Sequence, residues 1–106
     1  TTNASGLWVK TTVDQSSSTG INRYPSMALD SSGRAHICYV DNFWGYLKYA
    51  TNFHANGLWE EETIDSSYDV GAYPPSIALD SSGKAHISYI INESLFSSQS
   101  LKYVTK

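Results

Sequence analysis

The chain is written twice. Residues 25–40, PSMALDSSGRAHICYV, recur at 75–90 as PSIALDSSGKAHISYI, and the changes between the copies are conservative: Met27/Ile77, Arg34/Lys84, Cys38/Ser88 and Val40/Ile90. GLWVKTTVD (6–14) recurs as GLWEEETID (57–65), and LKYATN (47–52) as LKYVTK (101–106). Two copies with a period of about fifty residues account for all 106 positions, and repeats of that length are supersecondary units that bury their faces on their neighbours. The repeats divide the chain into 1–55 and 56–106. Length varies only between the matched blocks, QSSSTGINRY against SSYDVGAYP and DNFWGY against INESLFSSQS, where loops belong.

Each copy holds four short segments rich in Val, Ile, Tyr, Thr and Trp, separated by clusters of Gly, Ser, Asn and Asp. This predicts an all-β fold with four strands per repeat and no helix of consequence. The DSSG stretches have Asp in the opening position and Gly where a positive φ is cheap, which predicts a tight hairpin turn in each copy. Several strands are too apolar to leave one face in water. A four-stranded antiparallel unit that repeats and must be covered on both faces points to the blade of a β-propeller.

The run YPSMALDSSGRAHICY, followed by LKYATN and a GLW strand, resembles the tandem repeats of bacterial β-propeller proteins and, more distantly, the NHL class. The resemblance implies that PSMALD is innermost, AHICYV second, LKYATN third and the GLW strand outermost; small Ser26, Ala28, Ser76 and Ala78 then suit a crowded axis. In that phase the chain begins with an outer strand (7–14), contributes a second (58–65), and ends on a third strand (101–106). The offset implies closure between chains, with residues 7–14 of one copy finishing the last sheet of another. Closed propellers need about four to eight blades. The expectation is homo-oligomerisation into a ring, a six-bladed trimer first and an eight-bladed tetramer second.

A net charge of −3 gives no electrostatic reason to expect nucleic acid or an anionic membrane as partner. A single Cys, Cys38, excludes an intrachain disulfide and a multi-thiolate metal site. No run of ~18 apolar residues exists, and TTNASGLW lacks the basic and apolar regions of a signal peptide, so a soluble chain is expected with its compartment, secreted or not, left open. Neither metal nor cofactor is expected. His36 and His86 occupy one repeat position between Ile and Tyr and read as packing residues. His54 has no repeat partner, and Asp30 and Asp80 read as turn-makers.

The chain is not expected to be an enzyme. It has no G-x-S-x-G elbow, only two arginines, Arg23 and Arg34, for sialidase-like chemistry, and its adjacent acids Glu60, Glu61 and Glu62 lie on a strand read as outermost and exposed. The less repeated connections, 15–24, 66–74, 41–46 and 91–100, are expected to emerge together at one end. They supply the candidate ligand residues Trp44, Asp41, Asn42, Arg23, Tyr24 and Tyr73. Flat rings among amides, carboxylates and a guanidinium are what a sugar requires, ring faces meeting the apolar side of a pyranose while polar groups bind its hydroxyls. The expected function is a multivalent, lectin-like binding module for glycans. The alternative is an assembly scaffold or a piece of a longer repeat array with no ligand of its own.

Overall fold

From Asn22 to Leu29 the side chains alternate between half-buried and exposed, the period-two pattern of a strand whose two faces meet different surroundings. The computed structural model describes residues 6, 8, 10–14, 22–41, 45–52, 58–66, 73–92 and 99–106. Among these the fold is all-β, with seven strands and no helix: β1 (Asn22–Leu29), β2 (Ala35–Asp41), β3 (Tyr46–Thr51), β4 (Glu60–Asp65), β5 (Ser76–Leu79), β6 (Ala85–Asn92) and β7 (Gln99–Thr105). They form two antiparallel sheets, ordered β1-β2-β3-β4 and β5-β6-β7. The strand order within each sheet is the one expected, and the GLWEEETID copy supplies the outer strand β4. Of the segment 7–14, residues 10–14 are in no strand, and Leu7 and Val9 lie outside the described residues.

The DSSG turns close as their residues dictate. The Gly33 N–H donates to the Asp30 carbonyl at 2.9 Å, and Asp30 Oδ1 accepts the Ser32 and Arg34 N–H groups at 2.9 and 3.0 Å. Gly33 sits at φ 80°, a conformation that costs an L side chain but not glycine. The second copy repeats the arrangement through Gly83 and Asp80. Near the start of β1 the register jumps from Arg23↔Val40 to Ser26↔Cys38, so Tyr24 and Pro25 together face one residue of β2. Tyr24 takes φ 56° there, and Pro25, which has no N–H to offer a ladder, falls inside the bulge.

The two sheets stack face to back. His36, Cys38 and Val40 of β2 with Leu47 and Tyr49 of β3 form one side of the core. Ile77 of β5 with Ala85, Ile87, Tyr89 and Ile91 of β6 forms the other. In repeat numbering these are opposite faces, since Ile87 and Tyr89 correspond to Ile37 and Tyr39. Burying a residue such as Leu47 or Ile87 contributes about 1.5–3 kcal/mol, and the intersheet contact is where these chains gain it.

Candidate functional site

The pairings Asn22↔Asp41, Asp41↔Tyr46, Leu47↔Asp65 and Asn92↔Gln99 gather the starts of β1, β3 and β7 and the ends of β2, β4 and β6 at one end of the stack. Arg23, Asp41 and Tyr73 lie at this end, as the strand phase requires. Tyr24 is there too, but its half-buried ring packs against the core. Asn42 and Trp44 lie outside the described residues. Tyr73 is exposed, and the Gln99 amide donates both to the Tyr73 hydroxyl and to Asn92 Oδ1, each at 3.1 Å. An accessible phenol ring beside two side-chain amides can stack on a sugar and bind its hydroxyls. Gln99 was not among the expected residues; its place opposite Asn92 depends on strand register, which the loop lengths conceal.

Two repeated latches hold the connections that enter each sheet. The Tyr39 hydroxyl donates to Asp14 Oδ2 at 2.6 Å, as Tyr89 does to Asp65 at 2.6 Å. Lys48 adds a 2.9 Å ion pair to Asp14. Burial alone would raise the Asp14 carboxyl, but the hydrogen bonds from Tyr39 and Lys48 outweigh it and hold the group below the usual carboxylate range. Burial, reinforced by the neighbouring carboxylate, pushes both tyrosine hydroxyls far up, so they stay protonated donors.

The opposite end carries a second repeated constellation. Backbone N–H donation from Arg34 is the main cause holding Asp30 down at about 2, so it is an acceptor throughout the neutral range. His36 Nε2 lies 3.1 Å from Asp30 Oδ2 and Nδ1 lies 2.6 Å from the Tyr49 hydroxyl. With Asp30 ionised, Nε2–H donating to it and Nδ1 accepting the Tyr49 O–H is the arrangement that satisfies all three groups. Asp80, His86 and Tyr103 repeat the chain at 2.9 and 2.6 Å. The His36 copy is buried in the core, where it orders the turn against the third strand.

A cleft of about 400 Å³ also lies at this end, away from the residues nominated for a ligand. Its Glu62 carboxylate already pairs with Lys106, whose ammonium sits 5.6 Å above the Tyr49 ring. Burial raises the Cys38 thiol to about 11, which makes it an inert packing group. Among the described residues no three metal-binding side chains converge. Neither family models, curated proteins nor solved structures match this chain.

Proposed function

We propose that the chain is a two-blade unit of a β-propeller, closed into a ring by copies of itself, and that the loop end of the ring is a multivalent carbohydrate-binding surface. Three chains giving six blades is the preferred ring, and four giving eight the second. Face-to-back stacking of two like sheets supports the propeller element. The observation that carries the binding element is the exposed Tyr73 ring with the Gln99 and Asn92 amides beside it. Arg23 and Asp41 stand at the same end, and Trp44 belongs to the β2–β3 connection that begins there. One such shallow site binds in the high-micromolar to millimolar range, about 4–6 kcal/mol. Repetition around a ring raises the apparent affinity on a glycan-dense surface.

The test is a glycan array probed with the labelled oligomer. Binding to a defined glycan class is expected, lost in Tyr73→Ala and in Trp44→Ala while light scattering shows an unchanged oligomer mass. No glycan bound by the intact oligomer, or a change in mass on either substitution, favours the second reading, an assembly scaffold. That reading draws on the large apolar side chains left exposed on the two sheet faces, Met27 and Leu29 on one and Leu101 and Tyr103 on the other.

A further inference from the structure

We infer that the open face of the β5-β6-β7 sheet is a docking surface for the open face of the β1-β2-β3-β4 sheet of a second copy of this chain, head to tail. The second copy's residues 10–14 then run along β7 as its fourth strand. The inference rests on the ring reading above and specifies how one copy meets the next.

The contact already exists once within the chain, so the repeat supplies its own template. Leu47 is 0% exposed within the core cluster that the two sheets share, whereas its equivalent Leu101 is 78% exposed. Tyr49 and Tyr103 stand at 6% and 63%. The opposite pair of faces shows the same asymmetry reversed: Ile77 is 8% exposed, while its equivalent Met27 is 57% exposed. Each uncovered face is thus the repeat copy of a surface that is buried against the repeat copy of the other. The first face also has a socket of about 300 Å³, lined by Val13, Pro25, Ile37 and Tyr39 among others. In the second sheet the corresponding Pro75 and Ile87 are buried, whereas Pro25 is exposed and Ile37 only half-buried; Tyr39, like Tyr89, is already covered.

The strand addition has an anchor of its own. Asp14 bonds Tyr39 at the same 2.6 Å as Asp65 bonds Tyr89. The backbone before Asp14 therefore approaches the first sheet as β4 approaches the second, from the outer position of a preceding sheet. Transferring the β3–β4 register places Lys102 opposite Thr12, and Tyr103 opposite Thr11, of the second copy. Backbone pairing along β7 then gives its edge the partner that β4 gives β3. Such a contact is heterologous, leaving one free face at each end until a ring closes.

Two single variants test the polarity. Leu101→Glu and Met27→Glu each place a charge on one of the two open faces, at exposed positions that the folded chain tolerates. Light scattering on the native chain should give a multiple of the single-chain mass. Each variant alone should give the single-chain mass, and their equimolar mixture a two-chain species and nothing larger, because one retains a good head and the other a good tail. A native oligomer whose variants keep its mass, or a mixture that stays single-chain, overturns the docking inference and leaves the ring reading standing. A single-chain native protein at micromolar concentration overturns both. Strand addition has its own readout: the chain carrying Thr12→Cys and Lys102→Cys should form interchain disulfides on mild oxidation, the buried Cys38 not competing, and failure of that cross-link within an intact oligomer removes the fourth-strand element.

Discussion

Tyr49 and Tyr103 make the same hydrogen bond to a histidine in two different surroundings, a comparison the repeat provides without engineering. In the first sheet the partner is buried His36; removing the hydroxyl strands its Nδ1 away from water. Tyr49→Phe should therefore cost about 1–3 kcal/mol of stability. Tyr103→Phe, with His86 partly open to solvent, should stay within about 0.5 kcal/mol. Urea unfolding on the single-chain Leu101→Glu background measures both without interference from association, and equal costs would show that burial is not what makes the first copy matter. Asp30 gives the constellation a pH dependence with a definite sign. Its pKa is lowered from 3.8 to about 2 on folding, so its contribution is present above about pH 4 and is lost as pH falls through the folded value. The stability gap between the native chain and Asp30→Asn should be constant near neutrality and narrow from pH 4 to pH 2; a gap that widens on acidification contradicts the assignment. The three residue types recur in both copies at matching positions, so the constellation left a trace in the sequence. What joined them was register: Tyr49 pairs with Cys38, and His36 with Thr51, making His36 and Tyr49 diagonal neighbours on one face.

At the scale of single elements, legibility followed how local the determining chemistry is. The DSSG hairpins could be read because Asp, the following N–H groups and a positive-φ Gly all lie within five residues. The outer position of β4 was implied by the family resemblance, and its three adjacent glutamates, all exposed, suit a wet edge. The bulge at Tyr24 could not be read: nothing in Arg23-Tyr24-Pro25 requires two residues to face one, and the shift shows only in the pairing of β1 with β2. The same limit applies to the candidate site. Strand alternation placed Arg23, Asp41 and Tyr73 at one end, but the pairing of Gln99 with Asn92 and Tyr73 follows from how β7 enters the sheet after a connection of different length in each copy. Tyr24 shows the converse, a loop-end aromatic that the bulge turns inward onto the core.

For the whole molecule, the repeat implies more than the presence of two similar sheets. A face-to-back stack has two unlike ends, and here both remain apolar, with Met27 and Leu29 on one and Leu101 and Tyr103 on the other. Large exposed apolar side chains concentrated on two opposed faces are unusual for a small domain standing alone. If copies cover those faces, folding and association share their free energy, and stability must rise with concentration. For a three-chain ring each tenfold increase in concentration stabilises the folded chain by about 1 kcal/mol, which corresponds to a shift in Tm on the order of 4–8 °C for a chain near this size. Calorimetry from 5 to about 500 µM, two such increments, should show that climb in the native chain and none in Leu101→Glu, whose tail face is blocked. A flat Tm in both would mean that the open faces stay in water and that each pair of sheets is stable through its single internal contact. A climb in both would place the association on a surface other than the one carrying Leu101.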